Sequence, residues 1–207
     1  MLDLVLPLEC GGCAVPGTRW CAACAQALTV HPDEPMIVTP RIDPGVPVFS
    51  LGRYAGPRRA AILAMKEHGR SDLVAPLAGA VGAAVARLAA WGIVERPLTL
   101  VPAPTRRSAA RRRGGDPVTA IARTAATPGI VVVPALRMRA FTRDSVGLTP
   151  DQRQRNVTGR VRRRRDVLGE ALLIDDVVTT GATCAESVRV LQTAGARVSA
   201  ILTVAHA

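Results

Sequence analysis

One uninterrupted run, Ala171-Leu172-Leu173-Ile174-Asp175-Asp176-Val177-Val178-Thr179-Thr180-Gly181-Ala182-Thr183, limits what this chain can fold into more than any other stretch. Ala171 to Ile174 is apolar at every position, the pattern of a strand buried on both faces, as the central parallel strands of α/β sheets are. The strand ends in Asp175 and Asp176. That puts two carboxylates where a parallel strand meets its loop, the usual ligand crevice of open α/β sheets. Thr179 to Thr183 then form a small, hydroxyl-rich turn in which Gly181 can take a backbone geometry other residues resist. Val188 and Leu191 recur at helical spacing and Gly195 is a stop signal, so a helix follows the turn. Its free N–H groups and positive dipole end point into the turn and make an anion site. Such a device holds a sugar phosphate: the turn takes the phosphate, and the acids accept hydrogen bonds from vicinal hydroxyls one ring away.

These residues resemble the 5-phosphoribosyl diphosphate (PRPP) motif of type I phosphoribosyltransferases: two hydrophobics, two acids, then Val-Val-Thr-Thr-Gly-Ala-Thr. The resemblance implies an open, mainly parallel sheet flanked by helices. A Walker A loop is excluded, because the only lysine is Lys66 and no glycine precedes it.

At 207 residues the chain holds one ordinary domain plus a small appendage. Residues 10–24 carry Cys10-Gly11-Gly12-Cys13 and Cys21-Ala22-Ala23-Cys24. Two Cys-x-x-Cys pairs suit four thiolates converging on a tetrahedral zinc, a closed structural site with no position for a reacting water. Disulfides are the competing reading. Residues 25–47 contain five prolines and few periodic apolar residues, which reads as a semi-rigid connection. The division is therefore a zinc knuckle and linker over 1–45 and an α/β domain over 46–207.

Within that domain Val46 to Tyr54 reads as a strand, and Pro57 starts a helix running to His68 with Ile62 and Met65 on one face. Lys66, near its end, is either a solvated helix-end charge or a reach toward a diphosphate. Ser71 caps an Ala/Gly-rich helix running to Trp91. Leu98 to Val101 is a strand, and the stiff turn after it offers Thr105, Arg106 and Arg107 to a second anionic group, the diphosphate. Asp116-Pro117 starts another helix, Ile130 to Val133 is a third strand and Arg197 to Ala205 the last. Cys184 sits in the first turn of the helix after Gly181; it is either a small residue that fits or a thiol whose pKa the dipole lowers. The three histidines form no ligand pattern.

Net charge is +11, and it is local: residues 101–165 hold sixteen arginines against three acids. Segment 134–170 reads as an arginine-rich flap, with Arg137, Arg139 and Arg143 facing the anion site and excluding water. Five aromatic residues in the chain are too few for a base-stacking platform. No secretory signal opens the chain, and the apolar stretch Leu73 to Ala86 ends at Arg87 too soon to span a bilayer, so no membrane insertion and a cytoplasmic location are expected.

Taken over nearly its whole length, the chain resembles the ComF family, phosphoribosyltransferase-like proteins with an N-terminal four-cysteine zinc knuckle and a frequent link to natural competence. The cysteine pairs, Tyr54 through Lys66, Val101-Pro102-Ala103-Pro104 with Arg111 to Gly114, Arg153 to Asn156 and the diacid loop carry the likeness. It departs at Gly115-Asp116-Pro117, where the family continues Phe-Asn-Gln, and near Asp144-Ser145, where a glutamine is usual. The resemblance implies PRPP with Mg²⁺ as ligand, Asp175 and Asp176 as catalytic groups, Thr179, Thr180, Gly181, Ala182 and Thr183 on the 5-phosphate, and an unidentified nitrogen acceptor such as a nucleobase. Two alternatives stay open: a PRPP-sensing or single-stranded DNA-binding accessory working with competence proteins, and a purine-type salvage enzyme that happens to carry zinc.

Overall fold

The computed structural model describes residues 8–105, 115–139 and 159–207. In chain order these form α1 (Ala22–Ala27), β1 (Met36–Ile37), β2 (Val48–Ser50), α2 (Gly56–Glu67), a 3-10 turn (Ser71–Leu73) leading into α3 (Val74–Ala90), and β3 (Leu98–Pro102). There follow α4 (Pro117–Ala125), β4 (Ile130–Val132), β5 (Leu136–Met138), β6 (Val161–Arg163), β7 (Glu170–Val178), α5 (Ala182–Thr193) and β8 (Arg197–His206).

Six strands make one sheet in the order β1-β2-β8-β7-β3-β4. All neighbours are parallel except the edge pair β1–β2. The architecture is therefore α/β with a mostly parallel sheet, as the apolar run and its helix require. β7 lies between β8 and β3, and its residues alternate between two cores. Leu172 and Ile174 pack with α2, α3 and α4. Ala171 and Leu173 pack with Val188 and Leu191 of α5. Alternation with period two does this for any strand, and here both faces are covered.

Several boundaries differ from the sequence reading. β7 does not stop at Ile174 but runs through both acids to Val178, because β8 continues beside it and pairs Asp175 with Thr203, Val177 with Ala205 and Val178 with His206. The first strand shrinks to Val48–Ser50. Ser71 is not a helix cap: it begins the 3-10 turn, and α3 starts at Val74 without a side-chain cap. The Ala/Gly-rich helix runs to Ala90 with Trp91 as its C-cap, as read from the sequence, but the apolar span is longer than the expected Leu73 to Ala86. Ser71–Ala90 is long and apolar enough by composition to cross a membrane, but Leu77, Val81, Ala84 and Leu88 are buried in the core against α4 and the sheet. The proline-rich connection is more than a spacer, since its Met36 and Ile37 add the edge strand β1. The expected flap has a described base, where β5 pairs antiparallel with β6, Arg137 opposite Arg162.

Leu172, fully buried on the α2/α3/α4 face, reports on this packing. Leu172→Ala should lower unfolding free energy by about 2–5 kcal/mol, read as a shift of the denaturant midpoint with unchanged slope.

Candidate functional site

At the N-terminus, the four sulfurs of Cys10, Cys13, Cys21 and Cys24 all lie within 4.8 Å of one another. All five cysteines are free thiols, and Cys13 Sγ and Cys21 Sγ are 3.6 Å apart, so the disulfide reading does not apply. Tetrahedral zinc with bonds of about 2.3 Å separates its sulfurs by about 3.8 Å, and this cluster fits that spacing. Backbone N–H groups point at the sulfurs: those of Gly12 and Cys21 donate to Cys10 Sγ at 3.5 and 3.4 Å, and that of Cys24 to Cys21 Sγ at 3.5 Å. Burial pushes the Cys10 thiol up, but these N–H donors outweigh it and bring it down to about 6. Burial and the neighbouring sulfurs push Cys24 up, so bringing four sulfurs together without a cation is unfavourable. Gly12 is needed for closeness alone, since a Cβ there would lie 2.6 Å from Cys24 Sγ. The knuckle is docked on the α/β domain: Arg70 donates to the carbonyls of Glu9 and Arg19, and a Cβ on Gly11 would strike Leu73.

The second site is at the carboxyl end of β7. Because successive strand residues face opposite sides, Asp176 falls with Leu172 and Ile174 toward α2, and Asp175 with Leu173 toward α5. Lys66, in the last turn of α2, meets Asp176: its Nζ is 2.7 Å from Oδ2. Asp176 is only 7% exposed. Burial works against the Lys66 charge, but the Asp176 carboxylate overcomes it, helped by Asp175, and the lysine is held above its usual range. Asp175 is half-buried, and its Oδ1 accepts the backbone N–H of Asp176 at 2.8 Å. Burial, and then the Asp176 charge beside it, raise Asp175 to about 8. Asp175 therefore holds a proton at neutral pH.

Beyond the acids the chain turns through Thr179 and Thr180 into α5. Gly181 is the N-cap residue with φ 83°, in the left-handed region, and it gives the helix no side-chain cap. The Thr180 hydroxyl accepts from Ala182 N–H at 3.4 Å. Uncapped first-turn N–H groups at a helix start are anion donors. A Cβ on Gly181 would also run into the Ile42 carbonyl and lie 2.8 Å from Pro40 Cβ, and Ile42 N–H donates to the Thr180 carbonyl at 2.9 Å. Sequence reasoning missed this clamp: nothing in the proline-rich connection marks Pro40 and Ile42 as covering the turn.

Thr105, after β3, donates its hydroxyl to Asp116 Oδ1 at 2.8 Å, and Thr119 donates to Oδ2 of the same acid at 2.6 Å. Asp116 also adds to the negative charge felt by Asp175. A cavity of about 500 Å³ opens here, lined by Thr105, Asp116, Thr119, Arg123, Arg137 and Arg164 among others. The structure thus brings Thr105 and Arg137 to one cavity. Arg139 follows β5 and is exposed, its backbone N–H bonded to the Arg160 carbonyl. Arg106, Arg107 and Arg143 lie outside the described residues, as do Arg111 to Gly114 and Arg153 to Asn156. Cys184 is buried, and burial pushes its thiol well above the usual range, so the helix dipole does not activate it.

The residues at the diacid do not make a Mg²⁺ site of their own. The ammonium of Lys66 occupies Asp176, the Asp176 N–H occupies Asp175, and among the described residues the only grouping of three or more metal-ligating side chains is the cysteine cluster. Comparison with known proteins finds no matching family model and no matching curated protein.

Two outcomes follow. Zinc analysis of the purified chain should give one ion per molecule, and Cys24→Ser should lose the ion and lower the melting temperature, since the binding energy of a structural zinc is folding energy. For the diacid, an acid whose folded pKa is raised stabilises the fold fully below its unfolded value, about 3.9, and that contribution disappears as pH rises through about 8. Denaturant midpoints of the wild type should therefore carry a downward contribution between about pH 5 and pH 8 that Asp175→Asn removes.

Proposed function

We propose that this chain is a ComF-like phosphoribosyltransferase that binds PRPP and transfers its phosphoribosyl group to a nitrogen acceptor with release of diphosphate. The observation that carries the reading is the direct succession, at the carboxyl end of a central parallel strand, of two acids, a left-handed glycine and a helix start without a side-chain cap from that glycine. A phosphorylated pentose has the matching order of groups: hydroxyls on the ring, then a phosphate carried on the exocyclic carbon beyond it. Zinc in the cysteine knuckle has a structural part in this reading, and the knuckle's contacts with Arg70 and Leu73 support it.

In the reaction the bond from C1 to the diphosphate oxygen breaks, its electron pair leaves with the diphosphate, and the acceptor nitrogen's lone pair forms the new bond to C1. The proton on that nitrogen is then lost to solvent or to the departing diphosphate. Positive charge grows on the ring as the first bond lengthens. The Asp176 carboxylate offsets it, and Asp175 with its proton holds a ring oxygen or hydroxyl. The turn Thr179 to Thr183 grips the remote 5-phosphate, whose binding energy orients the reacting carbon. Thr105 and Arg137, on the 500 Å³ cavity, face the diphosphate side.

The binding-only alternative draws on the groove between β6 and α5, lined by Arg162, Arg163 and Arg189. Two of those three are already paired, Arg163 with Asp166 and Arg189 with Glu186. That leaves less free charge for a polyanion than the arginine count suggests, and the transferase reading is the stronger.

Calorimetry of zinc-loaded protein with PRPP should show binding that Asp175→Asn with Asp176→Asn weakens by about tenfold or more, as loss of charge-assisted hydrogen bonds implies. Diphosphate release across a panel of nucleobases and other nitrogen nucleophiles should then single out an acceptor. Binding without release by any acceptor would favour the sensing alternative, and no binding at millimolar PRPP would end the proposal.

A further inference from the structure

Two adjacent carboxylates at the inner end of a strand repel each other unless a cation or a proton intervenes. In sites for phosphorylated sugars a divalent cation is one way to supply that cation. Here the fold supplies its own. Lys66 is the single lysine of the chain, and α2 delivers it: Ile62 and Met65 are buried in the core, which fixes the helix against the sheet and directs the next residue over the end of β7. Its side chain is 26% exposed and that of Asp176 is 9% exposed, so the pair stands at the boundary between core and crevice.

The geometry leaves little room for a metal in the same place. A divalent ion of the magnesium type needs near-octahedral oxygen ligands at about 2.1 Å. Nζ, 2.7 Å from Asp176 Oδ2, stands where such an ion would approach that oxygen. Asp175 Oδ1 accepts the backbone N–H of Asp176. Asp116, whose charge also reaches Asp175, has one carboxylate oxygen bound by Thr105 and the other by Thr119. An ammonium also does what a metal cannot: it has three donors, and with one on Asp176 the others can reach ligand oxygens.

We propose that Lys66 is a positioning residue that supplies the countercharge of the diacid, so that the chain holds the phosphopentose part of its ligand without a divalent cation. This rests on the phosphoribosyl reading above and deepens it: any magnesium required belongs to the diphosphate, not to the sugar site. Lys66 orients Asp176 for the ring hydroxyls through the 2.7 Å contact, while the groups that face the lysine are Asp176, Asp175 and Tyr54.

The probe is ribose 5-phosphate, which lacks the diphosphate and whatever cation it carries. Binding is measured by calorimetry on the zinc-loaded full chain, in buffer stripped of divalent cations over resin and again with millimolar magnesium. Wild-type affinity should change by less than about twofold between the two, whereas Lys66→Met should lose about tenfold or more without magnesium and regain part of it with magnesium. Lys66→Arg, which keeps the charge, should stay near wild type in both, a rescue that a purely structural role would not give. A second readout uses the wild-type fold: reductive ¹³C-methylation labels one lysine, and its resonance should shift when ribose 5-phosphate is added without magnesium. Wild-type binding that requires magnesium, Lys66→Met binding like wild type without it, or an unmoved resonance while heat is released would each overturn the proposal and leave the phosphoribosyl reading standing. Failure of the wild type to bind either ribose 5-phosphate or PRPP under both conditions would overturn the two together.

Discussion

Leu172, Leu173 and Ile174 are sealed between two cores, so β7 can carry charge only at its ends. That constraint arranges much of the molecule. Glu170 lies at the start of the strand and Asp175 and Asp176 near its finish, separated by four apolar residues with no exposure to speak of. Because β8 and β3 run parallel to β7 on either side, the finish of β7 lies beside the ends of both neighbours. The loop that leaves β3 carries Thr105, and β7 itself runs on from its acids into the turn at Gly181, so both lie at the same edge of the sheet as the acids. A crevice with carboxylates in the middle and anion donors at the rim is a consequence of the strand order rather than a separate design.

Extension of β7 through both acids has an electrostatic result. In a loop the two side chains could turn to the same side, but in a strand they cannot: one faces α2 and the other α5. Each then meets a different environment. Asp176 finds the Lys66 ammonium; Asp175 finds burial and the charge of its neighbour, and keeps its proton to about pH 8. Two identical residues, adjacent in the chain, thus meet different partners because the pleat separates them.

Much of this was legible beforehand, and the illegible part has a physical reason. The apolar run, the helix after Gly181 and the cysteine spacing are local patterns, and the parallel sheet, the left-handed glycine and the converging thiols follow from them. Strand ends are not local: β7 continues to Val178 only because β8 is there to pair with it. Lys66 shows the same limit. Its position near the end of α2 allowed either a solvated charge or a reach to diphosphate, and only the packing of Met65 and Ile62 decides that the amine lands on Asp176. Pro40 and Ile42 carry no chemical label at all; they matter because a proline-rich segment happens to return over the turn at Gly181. Residues 25–47 read as connection for want of periodicity, and the edge strand within them is two residues long.

Buried acids at both ends of one strand invite the question of which end is the working one, and their partners answer it. Glu170 is saturated: Oε1 accepts from Glu95 N–H at 2.9 Å and from Ser199 Oγ at 2.8 Å, and Oε2 takes the guanidinium of Arg197. All three partners belong to fixed backbone or to neighbouring strands, and nothing is left to offer a ligand. A group so satisfied stabilises the register of β7 against β8 and can do little else. Asp176 has a different set. Its carboxylate meets one ammonium on a flexible stem, which can pivot without unfolding a helix. Removing Glu170 would unpair the Glu95 N–H, the Ser199 hydroxyl and the Arg197 guanidinium at once, whereas engaging Asp176 with a sugar asks only that a lysine share its carboxylate. The fold has therefore placed its rigid acid where the sheet must be held and its adaptable one where a ligand arrives.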